Sequence, residues 1–151
     1  MIALKRFTSP DDTATWFDVL LENGDLATDA GLETAVVMSL FLDRAPAPED
    51  MADVNDDLYQ GWWGDVLSED DDRIGSRLWL LSRSTTTNSV INRAREYAEE
   101  ALQWLVDDEI AERVTATVTR AGLYLMRMEI QIKRQSGPKW EGTWELQLDA
   151  I

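Results

Sequence analysis

The C-terminal part of the chain constrains its fold most, because its apolar residues recur with a period of two. Val114, Ala116 and Val118 alternate with Arg113, Thr115, Thr117 and Thr119. After Ala121-Gly122, Tyr124, Met126, Met128, Ile130 and Ile132 alternate with Leu125, Arg127, Glu129, Gln131 and Lys133. After Gln135-Ser136-Gly137-Pro138, Trp140, Gly142, Trp144, Leu146 and Leu148 alternate with Lys139, Glu141, Thr143, Glu145 and Gln147. Successive strand side chains point to opposite faces. Each segment therefore predicts a strand with one apolar and one polar face, and the turn residues join them into a three-stranded antiparallel meander.

An apolar sheet face needs a cover. The period changes to 3.6 just upstream, where a helix is expected from about Ser89 to Val106, capped by Asn88. Ile91, Ala94, Ala98, Ala101/Leu102 and Leu105 form its stripe, with Tyr97 and Trp104 at the border and Arg93, Arg95, Glu96, Glu99 and Glu100 mostly outside. The fold class is α+β, with helices packed on one face of a mainly antiparallel sheet.

Further upstream, Thr15 to Leu21 reads as a strand ending at Glu22-Asn23-Gly24-Asp25, where Asn-Gly signals a turn. A helix follows, capped by Thr28 or Asp29, with Leu32, Val36, Ser39/Leu40 and Asp43 along it. Its apolar density predicts a largely buried element. Ala45-Pro46-Ala47-Pro48 ends it and opens an acidic loop through Gln60. A short helix is expected over Ser76 to Arg83. The Ser/Thr residues from 82 to 87 read as a linker. With no repeat and 151 residues, residues 1–151 are expected to form a single domain.

Composition removes chemistry. There is no Cys and no His, which excludes disulfides, thiolate metal sites, Ser-His and Cys-His nucleophile pairs and imidazole proton shuttles. Fourteen Lys+Arg against 29 Asp+Glu give a net charge of −15, which disfavours direct contact with phosphate backbones. No apolar run approaches the roughly 20 residues that span a bilayer, and the N-terminus lacks a signal-peptide core. Asp56-Asp57 and Asp70-Asp71-Asp72 lack the spacing of an EF-hand and read as solvated loops. Carboxylate pairs roughly 5–9 Å apart serve glycosidases, yet nothing singles out one carboxyl beside an aromatic wall. No catalytic residue, metal, cofactor or small-molecule substrate is expected.

Binding is better supported. Of the seven Trp, Trp79, Trp104, Trp140 and Trp144 fall at core positions. Trp62 and Trp63 are adjacent in a loop between Gly61 and Gly64-Asp65. The two cannot easily both point inward: either one packs down and the other lies against the surface, or they anchor an interface, a role for which Trp is favoured. Arg44, Arg73 and Arg77 bracket this loop. They suit bidentate contacts with a partner's carboxylates, or pair with neighbouring acids of this chain. Arg44, Gly61, Trp62, Trp63, Gly64, Asp65, Arg73 and Arg77 are the candidate partner-binding residues.

The order of these motifs resembles a known family. Its opening is matched by Asp25-Leu26-Ala27-Thr28-Asp29-Ala30-Gly31-Leu32-Glu33-Thr34-Ala35-Val36, Ser39-Leu40-Phe41 and Asp43-Arg44. Gly61-Trp62-Trp63-Gly64-Asp65, Asp72-Arg73-Ile74-Gly75-Ser76-Arg77-Leu78-Trp79-Leu80-Leu81 and residues 94–105 continue it. The chain thus resembles the Mu-like phage baseplate protein family, related to the sheath-initiator wedge proteins of contractile tails, from about residue 16 to 145. The resemblance implies a small α+β wedge subunit without enzymatic activity. Its implied partners are other wedge proteins and the tail sheath, and its implied location is the virion, after assembly in the host cytoplasm. Some relatives have been labelled lysozyme-like, a label that the lack of an identifiable acid/nucleophile pair argues against. The wider group's Glu-Pro-Arg triplet after the long helix is absent, the region reading Asp107-Asp108-Glu109-Ile110-Ala111.

Residues and resemblance together point to a sheet edge that pairs with a partner strand. The last strand, with Lys139, Glu141, Thr143, Glu145 and Gln147, and the N-terminal strand are the candidates. The competing readings are an acidic anti-restriction or DNA-mimic protein and a carboxylate glycan hydrolase.

Overall fold

The computed structural model describes residues 4–8, 15–19, 21–22, 25–26, 32–50 and 74–149. The chain divides into two units, Met1–Val37 and Met38–Ile151. In the first, β1 (Leu4–Thr8) pairs antiparallel with β2 (Thr15–Val19), Leu4 opposite Val19 and Thr8 opposite Thr15. β1 was not expected from the sequence, since five residues interrupted by Lys5-Arg6 carry little periodic signal. β3 (Leu21–Glu22) pairs with β4 (Asp25–Leu26). Glu22 stands opposite Asp25, and the expected turn residues Asn23-Gly24 lie outside the described residues.

Helix α1 runs Glu33–Phe41, and residues Thr34 to Val37, Ser39 and Leu40 are buried. A helix that is apolar on most sides is an interior element, as its composition predicts. After it, the expected loop folds locally into a 3-10 helix at Pro48–Asp50, where the Asp50 Oδ2 accepts from the Ala47 N–H at 3.1 Å.

The expected helix over Ser76–Arg83 is shorter, a 3-10 helix at Leu78–Leu81. Its start is held back by Ser76, which is committed to a parallel bridge with Asp43. There the Ser76 N–H donates to the Leu42 carbonyl and the Arg44 N–H to the Ser76 carbonyl, both at 2.9 Å.

The covering helix also differs in detail. It divides into α2 (Asn88–Ala101) and α3 (Trp104–Asp107). At the break, Leu102 and Gln103 bond three residues back, to the carbonyls of Glu99 and Glu100. This tighter turn accompanies complete burial of both Leu102 and Leu105. The cap is Thr87, not Asn88, the Thr87 Oγ1 accepting from the Val90 N–H at 3.3 Å. Glu109, with a φ of 57°, follows α3 in the left-handed region that usually favours Gly. Nor is the Ser/Thr tract only a linker. Thr86 is buried, its hydroxyl bonds the Gly122 and Leu123 carbonyls, and its N–H donates to the Leu123 carbonyl.

The meander forms as its period predicts: β5 (Ala111–Arg120), β6 (Leu125–Arg134) and β7 (Trp140–Gln147), antiparallel in that order. Met126, Met128, Ile130 and Ile132 of the central strand are wholly buried, each stabilising the fold by about 2 kcal/mol. α2 and α3 pack against β5, and Ala94 and Ala98 have no exposed surface. Of the four tryptophans expected in the core, Trp144 is buried and Trp79, Trp104 and Trp140 are half-buried. The indole N–H explains two of them, because it needs a polar partner. Trp79 Nε1 donates to the Arg44 carbonyl at 2.8 Å, and Trp104 Nε1 to Ser39 Oγ at 3.0 Å.

Candidate interaction site

Two of the candidate arginines fall within the described residues, and both meet carboxylates of this chain. Gly61, Trp62, Trp63, Gly64, Asp65 and Arg73 lie outside the described residues. Gly75 sets up the arrangement. Its φ is +98°, and a Cβ there would press on the Leu42 carbonyl and approach the Arg44 nitrogen at 3.2 Å. Next to it, the Ser76 Oγ donates to the Leu40 carbonyl at 2.5 Å, satisfying a backbone acceptor near the end of α1.

Arg77, fixed by this bridge, forms a hub. Its Nη1 lies 2.7 Å from Asp50 Oδ2 and 3.4 Å from Glu49 Oε1, and its Nη2 lies 2.8 Å from Glu100 Oε2. Glu100 also reaches Arg44, at 3.4 Å. The Arg77 guanidinium stacks 4.6 Å from the centre of the Tyr97 ring, a favourable cation–π distance. The Tyr97 hydroxyl donates to Asp50 Oδ1 at 3.3 Å and accepts from Arg93 Nη2 at 2.8 Å. Asp50 is only 6% exposed. Burial pushes its carboxyl up, but the Arg77 hydrogen bond, the Ala47 N–H, the Arg77 charge and the Tyr97 hydroxyl together hold it below the ordinary carboxylate range. Burial likewise disfavours the Arg77 charge, and its Asp50 and Glu100 partners outweigh that, raising its pKa. The group ties the Pro48–Asp50 turn and the Gly75–Leu81 segment to the outward side of α2. Asp50 and Tyr97 were not singled out from sequence, although the border position of Tyr97 on the stripe was the available signal.

The five sheet-edge candidates lie on or beside β7, the terminal strand of its sheet. The Leu148 N–H bonds the Tyr124 carbonyl, and the register pairs Leu146 with Met126, Trp144 with Met128 and Gly142 with Ile130. In an antiparallel ladder, hydrogen-bonded pairs alternate with non-bonded ones. The even-numbered residues therefore bond β6, and Glu141, Thr143, Glu145 and Gln147 turn their N–H and C=O groups to the outer edge. Among the described residues no strand pairs with that edge. It is bounded at one end, where the Asp149 N–H donates to the Ser82 carbonyl at 2.6 Å. The exposed side chains here are paired at the surface: Lys139 Nζ lies 2.7 Å from Glu141, and Arg127 Nη2 lies 3.0 Å from Glu145.

The same alternation sends Ala116 outward on β5. Its N–H donates to Glu99 Oε1 of α2 at 3.3 Å. Among the described residues the two edges of the sheet thus differ, one met in part by a carboxylate and the other left open.

On its apolar side β7 carries an aromatic cluster. Trp140 and Trp144 lie 6.0 Å apart and lean over Gly142, where a Cβ would meet their rings at 2.6 and 2.5 Å. Phe41 stands edge-on to Trp144 at 5.8 Å. Beside this cluster is a cleft of about 200 Å³ lined by Leu40, Phe41, Asp43, Ser76, Leu78, Trp79, Leu81, Ser82, Met126, Leu146, Gln147 and Leu148. Asp43 is exposed at the rim of this cleft, and the desolvation that remains there pushes its carboxyl pKa upward. Among the described residues no cluster of three acidic side chains is arranged to hold a metal.

Fold and site define a class: a small α+β protein with helices against its antiparallel sheet, an edge strand left open among the described residues, and an internally neutralised arginine hub. Within that class the chain belongs to the family described as phage protein GP46, whose sequence model matches residues 32–139. The match takes in the hub and two strands of the meander and ends immediately before β7. The chain is 47% identical over 104 residues to the baseplate protein gp46 of Escherichia phage Mu, covering 69% of this chain and 68% of that protein. It is 32% identical over 138 residues to the Mu-like prophage FluMu protein gp46 of Haemophilus influenzae, covering 89% of this chain and 94% of that protein.

Proposed function

We propose that this chain is a structural, non-catalytic subunit of a contractile-tail baseplate, which binds other wedge proteins and nucleates the sheath. The baseplate role is supported by membership of the GP46 family and by the likeness to the Mu baseplate protein. It acts in the virion, after assembly in the host cytoplasm. The nucleating role is carried by one observation, the row of outward backbone groups on Glu141, Thr143, Glu145 and Gln147. An incoming strand would pair with these groups by β-augmentation, in which main-chain hydrogen bonds supply affinity. Trp62, Trp63 and Arg73, outside the described residues, are the proposed anchors for wedge partners.

Thr143→Pro tests the nucleating role. The Thr143 N–H points away from β6, so proline removes an outward donor without breaking the ladder, as edge strands tolerate. Baseplates carrying the variant are expected to assemble without polymerising sheath, seen by electron microscopy. Normal sheath on a folded Thr143→Pro protein would rule out the β7 edge as the nucleus.

A further inference from the structure

We propose that the strand added at β7 is read by the adjacent cleft: the incoming segment places one large apolar side chain beside Leu146, next to a Lys or Arg that faces Asp43. This inference rests on the β7 edge being the docking site and adds the chemistry of what docks.

The argument follows from strand geometry. A residue on an added strand opposite an even-numbered residue of β7 projects from the same face as that residue. Opposite Leu146 that face holds the cleft, about 200 Å³ and walled by Phe41, Trp79, Leu81, Met126 and Leu146. Its volume and apolar walls suit one large aliphatic or aromatic side chain. Pockets for alternate side chains are how strand-adding sites gain specificity over what the main chain alone supplies. The position along the edge is also set. Ser82 occupies the outer edge at Asp149, so an added strand runs along Glu141 to Gln147 and stops beside the cleft.

The charge of the partner follows from Asp43. Glu141 and Glu145 already have cations beside them, at 2.7 and 3.0 Å. Asp43 lines the cleft with no ion pair among the described residues. An unpaired carboxylate at the rim of an apolar cleft favours an incoming cation. An apolar anchor flanked by a basic residue satisfies both the cleft and its rim.

The test uses the intact protein, labelled for NMR at its methyl groups and backbone amides. The probe is a short capped peptide alternating Lys and Leu, with a Glu/Leu peptide as control. The Lys/Leu peptide is expected to slow amide exchange at Thr143 and Glu145 and to shift the methyls of Met126, Leu146 and Leu148. Ser82→Phe, which fills the cleft, is expected to weaken its binding about tenfold. Asp43→Asn is expected to reduce the preference for the Lys/Leu peptide, and serves as a second variant if Ser82→Phe does not fold. Amide protection without methyl shifts would leave the edge standing and overturn the cleft. Methyl shifts without amide protection, or equal binding of the two peptides, would overturn the proposal from the other side. No change at either set of probes would remove both the inference and the edge on which it rests.

Discussion

Single residues decide how the Ile74-to-Leu81 stretch works. Gly75 has a positive φ and lies against the backbone of Leu42 and Arg44, Ser76 bonds the Leu40 carbonyl, Arg77 carries the hub, and Leu81 is 1% exposed. Only Gly75 has no freedom of replacement, because both its conformation and its neighbours exclude a Cβ. Gly75→Ala is expected to cost at least about 2 kcal/mol, from backbone strain and displacement of the Asp43–Ser76 bridge. A urea titration measures this, and an unchanged midpoint would contradict the close approach. The stretch could be recognised in the sequence as a motif, but not understood there. Positive φ and contact with a segment some thirty residues away leave no periodic trace.

At the scale of elements, legibility divides by the range of the signal. The meander repeats its signal at every second residue, so strand number, faces and edge were all readable. The division of α2 from α3 was not, since the apolar stripe continues across the break at Leu102-Gln103. Nor was the arginine hub, whose members Asp50, Arg77 and Glu100 come from three separate elements. Its arginines stand out in the sequence as cations in an acidic chain, which makes pairing inside the chain one of their options. The hub gives the Pro48–Asp50 turn a pH-dependent hold on α2. Asp50 has a folded pKa below its unfolded value of about 3.9. Its contribution is therefore complete above the unfolded value and lost as pH falls through the folded one. Asp50→Asn is expected to cost about 3 kcal/mol at neutral pH, because it leaves Arg77 short of a buried partner. The difference between variant and parent should shrink below about pH 4. Urea midpoints across that range measure it, and a constant difference would mean that Asp50 acts by shape and not by charge.

For the molecule as a whole, charge is segregated. The meander carries Arg113, Arg120, Arg127, Lys133, Arg134 and Lys139 against Glu112, Glu129, Glu141 and Glu145, so the acid excess lies elsewhere in the chain. The sheet that would meet another strand is thus free of the net repulsion that −15 implies. On its β5 side, Glu99 guards one outward backbone group, the Ala116 N–H. Glu99→Ala is expected to expose the Ala116 N–H and promote self-association, measured by sedimentation at increasing concentration. Glu99→Gln, which keeps an acceptor, is expected to sediment like the parent, and identical behaviour of the two variants would dismiss this guard. The asymmetry has a consequence for valency. A sheet with two open sides is a link and can be extended in both directions without limit. A sheet guarded on one side takes a neighbour more readily on the other, so it is better suited to beginning a row than to sitting in the middle of one. If the proposed docking holds, each copy starts one chain of strands from β7.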